Sequence, residues 1–318
     1  MGKTRRPLTG SRGGAKPAPW LAAASDTEWS AWHPLPGGWY PGAEVLRETL
    51  DGGQAFRWYP GADGESSSPC WTGLWSSHVV QIRAGIHPEW RTLAGAVEST
   101  RPALGHYFGT DFPWPAVTDN LPWRSDGHLR QCMAAFPHLR ILRQPFGETL
   151  LGFLCSATKQ IVQIKQMIVL LATRLGAPIS SGFHRLPTWP ELARVSEVDL
   201  RACLLGFRAR YVHQIAQFLA SRPGWLDETE RLPYPDAKGR LLELPGVGEK
   251  VADCVLLFGA CRLEAFPVDT WILKAMARRY GLESWSPAQL AQFGRAHFAG
   301  GAGLAQQYLF AWERRQGR

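Results

Sequence analysis

The chain has 318 residues, 45% of them hydrophobic, with 35 Lys and Arg against 27 Asp and Glu and a formal net charge of +8. That is enough apolar material for a sizeable core over two domains, and the positive balance points to an anionic partner. With no signal-peptide core, no apolar run long enough for a membrane and six cysteines but no Cys-x-x-Cys pair, the expectation is an intracellular protein with reduced thiols.

Residues 1–25 are rich in Gly, Pro, Arg and Ala and hold Lys3, Arg5, Arg6, Arg12 and Lys16 with no acid. A disordered basic tail is expected there. Those five cations leave only +3 for the rest of the chain, so charge favours nucleic acid without proving it. From Glu28 to about Arg83 the pattern is of strands. Gly52-Gly53 precedes Gln54–Trp58, Gly61–Pro69 is a loop, and Trp71–Leu74 and His78–Arg83 alternate as sheet strands do. Residues 84–140 mix Pro, Trp and short helical runs such as Gly127–Phe136, and are expected to finish a first domain spanning 26–138.

A helical domain, 139–318, follows. Ile161, Ile164, Ile168, Leu171 and Leu175 repeat at helical steps, and Gly176 ends that helix. Thr188-x-x-Glu191 and Ser196-x-x-Asp199 are capping boxes for two more helices. Gly206 then separates Phe207-Arg208-Ala209-Arg210-Tyr211, the opening of another amphipathic helix.

Leu241–Asp269 is the stretch around which the rest is organised. It reads as a short helix capped by Asp236, a stop at Pro245, a Gly246-Val247-Gly248 hairpin and a second helix starting near Glu249. Both glycines are expected to supply positive φ, leaving amides uncovered beside a positive helix end where a phosphate would be held. Lys250 falls in the first turn, where a cation is disfavoured. A pKa brought down to ~8 would leave roughly one lysine in ten neutral at pH 7, which suits a nucleophile. Asp269, after the apolar run in FPVDTW, is expected to be buried, and a carboxylate close to Lys250 would favour the ammonium instead. Beyond it, Ser286-Pro287-x-Gln289 caps a helix, Gly300–Gly303 breaks the chain, and a last helix places Gln306 and Phe310 on one face. Such a pair could stack on an extruded base while an amide reads its edge.

The segment LPGVGEKVADC followed by FPVDTW resembles the helix-hairpin-helix DNA glycosylases, specifically the 8-oxoguanine branch, and the likeness extends from roughly Trp29 to Trp312. It implies an antiparallel sheet domain followed by a helix-hairpin-helix domain, an α+β fold with the site in the cleft between them. It implies that Lys250 attacks the anomeric carbon of a flipped nucleotide, that Asp269 supports the positive sugar, and that a Schiff base and β-elimination follow. GGQAFRW, carried over by position, would bring the Gly53 carbonyl to the N–H that distinguishes 8-oxoguanine. On the residues alone, Gly53 reads first as a hairpin glycine beside core Phe56 and Trp58, and the motif match reverses that. LAQQYLF keeps Gln306 and Phe310 as base-pocket residues. Cys254 could form a charge pair with Lys250, or be a buried core thiol.

Around the opposite strand the likeness weakens. Thr158-Lys159-Gln160 stands where the family has three asparagines, Gln163 where it has an arginine, Trp271 where it has a histidine, and Phe207 where it has a wedge tyrosine. Arg208 would contact the orphaned base, and Gly246, Val247 and Gly248 the backbone. No cysteine follows Asp269, so an iron–sulfur loop cannot be built there. No redox cofactor or catalytic metal is implied, although a monovalent cation bridging hairpin carbonyls to a phosphate fits the resemblance. The expected function is a bifunctional glycosylase and abasic-site lyase acting on 8-oxoguanine in double-stranded DNA, as a monomer with no membrane partner. Two other readings stay open: a related glycosylase for an alkylated base, and a non-catalytic damaged-DNA binder. Retention of Gly53, Gln306 and Phe310 argues against the first, and of Lys250 with Asp269 against the second.

Overall fold

The computed structural model describes residues 29–61, 70–180 and 182–317; the basic tail, and residues 62–69 of the expected loop, lie outside them. Short strands β1 (His33–Pro34), β2 (Trp58–Pro60), β3 (Cys70–Trp75), β4 (His78–Arg83) and β5 (Glu89–Thr92) form one antiparallel sheet in the order β1-β5-β4-β3-β2. Trp58 lies over the β3 backbone, where a Cβ on Gly73 would come within 2.4 Å of its ring. Helices α1 (Ala43–Asp51) and α2 (Val97–Tyr107) pack against the sheet through Leu46, Leu50, Leu104 and Tyr107. The expectation of strands throughout 28–83 is therefore corrected. Val45, Leu46, Thr49 and Leu50 are buried at helical spacing, a period of 3.6 rather than 2.

The remaining helices are α3 (Trp114–Asp119), α4 (Gly127–Ala135), α5 (Phe146–Leu154), α6 (Ile161–Leu175), α7 (Trp189–Leu192), α8 (Glu197–Leu200), α9 (Arg208–Ala220), α10 (Trp225–Arg231), α11 (Tyr234–Leu242), α12 (Glu249–Ala260), α13 (Thr270–Tyr280), α14 (Pro287–Phe298) and α15 (Ala302–Gln316). A small ribbon of β6 (Pro178–Ser180) and β7 (Phe183–His184) interrupts them. Although α3 and α4 precede residue 139, they bury Trp114, Leu129, Cys132 and Phe136 among the helices rather than under the sheet. The caps follow local chemistry. Thr188 with Glu191 and Ser286 with Gln289 form reciprocal boxes, and the Ser196 hydroxyl accepts from the Asp199 amide.

Helix α12 is buried along Val251–Gly259, which makes it a central helix, apolar nearly all round. Packed on α5, it carries Lys250 at its first turn into the interior. The sheet domain is sutured to this helical body by Gln54, whose Nε2 donates to the Arg140 carbonyl (2.9 Å) while its Oε1 accepts from the Leu142 amide (3.0 Å). Lys165 of α6 adds an ion pair with Asp51 and a bond to the Trp58 carbonyl. Among the described residues no helix is long and apolar enough to cross a membrane, no group of three His, Cys, Asp or Glu is placed to hold a metal, and all six cysteines are free.

Candidate active site

A cavity of about 460 Å³ opens between the sheet-domain turn at Gly53, the N-terminal turns of α6, α12 and α13, and one face of α15; Gly53, Lys250, Cys254, Asp269, Gln306 and Phe310 all line it. Residues separated by more than 250 positions thus share one chamber. Its apolar floor is Phe153, which meets Phe56 edge-on (5.2 Å between ring centroids) and stacks on Phe258 (5.5 Å).

Lys250 reaches over that floor. Its Nζ lies 5.2 Å from the Phe153 ring centroid and 3.4 Å from Ser156 Oγ, and among the described residues no carboxylate forms an ion pair with it. Asp269 is the N-cap of α13: its Oδ1 accepts from the amides of Trp271 (3.0 Å) and Ile272 (2.9 Å). Burial pushes its carboxyl above the ordinary aspartate range, opposed by those two amides and by the charge of Lys250. Its cap role was not read from the sequence, although an acid directly before a helical run is a start signal. Capping fixes the carboxylate at the cavity wall, since any rotation would strip the helix end of its acceptor.

Cys254 sits one turn beyond Lys250. Burial pushes its thiol up to about 12, with Lys250 pulling the other way. Of the two readings of Cys254, burial favours the core thiol, because without solvent a thiolate is costly, while the nearby Lys250 ammonium favours the charge pair.

The residues expected to face a base are held by contacts of their own. Gln306 is buried, its Nε2 donating to the Pro267 carbonyl (3.0 Å) and its Oε1 accepting from Gln307 Nε2 (2.7 Å). Phe310, one turn on, presents its ring beside the Arg314 guanidinium (5.7 Å). Arg314, which the sequence did not single out, donates to Glu48 Oε1 (3.1 Å) and to the Gly52 carbonyl. It therefore latches α15 to the turn carrying Gly53. Gly53 itself has a φ of +109°, and a Cβ there would meet Ile161 Cδ1 at 3.4 Å and Phe310 Cζ at 3.8 Å, so its hydrogen faces the cavity.

The hairpin differs from expectation in two details. Only Gly246 has positive φ (+80°); Gly248 is extended at φ −98°, as the N-cap of α12. Asp236 lies inside the first turn of α11, whose cap position is Pro233; a proline supplies no side-chain acceptor, and the acid helps only through the helix dipole. Val247 is buried, so its side chain anchors the hairpin while the first-turn amides of α12 lack intrahelical acceptors. Behind them Lys238 bridges Asp253 (2.9 Å) and Glu249 (2.6 Å), and Tyr234 donates to Asp253 (2.8 Å).

The residues expected at the opposite strand lie on the turn before α6 and in its first turn, and at the start of α9. Thr158 is exposed, with φ +54°, and Phe207 is 54% exposed. Arg208 is only 3% exposed. Its guanidinium turns inward to the Ala157 carbonyl, Thr158 Oγ1 (3.1 Å) and the Leu205 carbonyl (3.3 Å), binding the two segments together. Gln163 is engaged as well, its Oε1 accepting from the Gln160 amide (3.1 Å) in a capping box for α6.

Residues 43–150 match the family model of the 8-oxoguanine DNA glycosylase N-terminal domain. The N-glycosylase/DNA lyase OGG1 of Arabidopsis thaliana is 30% identical over 289 residues, covering 85% of this chain and 77% of that protein. The N-glycosylase/DNA lyase of Saccharomyces cerevisiae is 28% identical over 261 residues, covering 75% and 69%. Among solved structures, the 8-oxoguanine glycosylase/lyase of Clostridium acetobutylicum, in complex with double-stranded DNA carrying cytosine opposite 8-oxoguanine, superposes with a TM-score of 0.78 at 28% identity, over 86% of this chain and 92% of that one. The sheet domain, the hairpin and the lysine-bearing cavity are thus accompanied by identity over most of both chains, and the protein belongs to the 8-oxoguanine DNA glycosylase family.

Proposed function

We propose that this protein excises 8-oxoguanine from double-stranded DNA and then cleaves the strand at the abasic site, with Lys250 as nucleophile. The observation that carries the reading is the single cavity that collects Lys250 and Asp269 with Gly53, Gln306 and Phe310. An extruded base would stack on Phe310, meet the Gln306 amide along one edge and the Gly53 backbone along another. Lys250, having lost a proton, gives its lone pair to C1′. The C1′–N9 bond breaks and the base leaves with a proton. As charge builds on the sugar, the fixed Asp269 carboxylate stabilises it, an effect strongest in a site that excludes water. The amine then expels O4′ to give an imine, and loss of a C2′ proton breaks the bond to the 3′ phosphate. Free amides at the start of α12 are placed to hold a backbone phosphate. An intracellular, DNA-associated location follows from this activity. Of the other readings, a non-catalytic binder gives no reason to hold a lysine in a cavity beside a half-buried carboxylate.

Borohydride reduction of the imine tests the proposal. Wild type should yield a covalent adduct on a duplex carrying 8-oxoguanine, and Lys250→Gln none while still binding the duplex. Adduct at wild-type yield in Lys250→Gln would place the nucleophile elsewhere.

A further inference from the structure

Two large apolar side chains on one short loop face solvent: Leu204 is 59% exposed and Phe207 54%. Leu204 also has a φ of +65°, left-handed backbone that a bulky side chain rarely adopts. A glycine would sit there without strain, yet the chain keeps a leucine that buries little of itself. Folding therefore does not explain the residue.

Its location does. Arg208 ties this loop, through the Leu205 carbonyl, to Ala157 and Thr158, and the adjoining Ser156 hydroxyl lies 3.4 Å from Lys250 Nζ. The loop therefore stands at the cavity mouth, on the same braced unit as the reactive amine. Exposed Lys159 and Arg210 flank it, placed to meet phosphates, and Val162, 47% exposed, continues the apolar rim into the cavity lining. Apolar tips between cations fit a base stack between its backbones.

Resting on the glycosylase reading above, we propose that Leu204 is a second wedge, which enters the duplex beside Phe207 and fills space in the base stack when the damaged nucleotide leaves. Opening a stack exposes two base faces to water, and a second apolar side chain beside the ring covers more of that surface than the ring alone. Backbone strain at Leu204 holds the side chain outward in the unbound protein, so little rearrangement is needed on contact.

The test uses the full chain and a duplex with 8-oxoguanine opposite 2-aminopurine, whose fluorescence rises on unstacking. Leu204→Gly should melt no lower than wild type, because strain is relieved, yet bind the duplex about tenfold more weakly, the size of a lost stacking contact. It should also lose most of the fluorescence rise. Leu204→Met, which keeps an apolar tip, should retain both, and binding to the single-stranded lesion oligonucleotide should not change. Wild-type affinity and fluorescence in Leu204→Gly would overturn the inference. Borohydride trapping on the same samples separates the two claims, since it depends on Lys250: a wild-type protein that never traps counts against the glycosylase reading, whatever the fluorescence shows about the wedge.

Discussion

Replacing Gly246 by alanine should damage the hairpin in two separable ways. Its φ of +80° is left-handed, which costs an L side chain about 1–2 kcal/mol. The new Cβ would also stand 2.6 Å from Cγ and Cδ2 of Tyr211, and forcing extra carbon into packed space costs about 1–3 kcal/mol. Together these predict a loss of about 2–5 kcal/mol, or roughly 3–8 °C in Tm for a chain of this size. Tyr211 also meets Phe207 edge-on at 6.2 Å, so a displaced ring disturbs the exposed loop and duplex binding should weaken as well. The assay is thermal melting of Gly246→Ala in wild-type and Tyr211→Ala backgrounds, with anisotropy on a lesion duplex. Without the Tyr211 ring, Gly246→Ala should cost only the backbone part, about 1–2 kcal/mol. Equal Tm losses in the two backgrounds would refute the clash, and no loss in either would refute the whole argument.

Asp269→Asn should strongly slow excision in single-turnover assays while leaving duplex binding nearly intact. Burial raises the folded carboxyl pKa, so the folded state binds more protons and this group's contribution to stability falls as pH rises through its unfolded and then its folded pKa. An asparagine oxygen still caps α13, so the variant should melt above wild type at pH 7, with the gap closing below about pH 4; a lower Tm at pH 7 would contradict this. Phe310→Ala should weaken lesion binding by about 1–3 kcal/mol, and Gln306→Ala by less, because water replaces part of an amide contact; equal losses on undamaged duplex would assign both to packing. With Gln163 occupied at the start of α6, wild type should prefer cytosine opposite the lesion only weakly, and Gln163→Arg should raise that preference at a cost of about 0.5–2 kcal/mol in stability from the lost cap. Single-turnover excision opposite each of the four bases checks it, and a strong wild-type preference unchanged by the substitution sinks the idea.

Local chemistry was legible in the sequence wherever the deciding interaction is local. The boxes at Thr188 and Ser286, the stop at Gly176 and the start of α12 at Glu249 depend on atoms a few residues apart, so type and spacing determine them. Lys250 was legible for the same reason: a glycine hairpin at a helix start is a local pattern. Helix α1 was missed because Val45, Leu46 and Leu50 give too short an apolar run to tell a period of 3.6 from one of 2. Only the tertiary structure decided what the charged and polar side chains face. Arg208 reads from sequence as a contact to the orphaned base and Gln163 as a glutamine in place of an arginine, yet loop carbonyls claim the first and a helix end the second. Burial raises the pKa of the Cys254 thiol and of the Asp269 carboxyl, and Arg314 reaches Glu48 across 266 positions. Burial and long-range pairing arise only when distant segments pack, and no spacing along the chain encodes how much solvent remains around an atom.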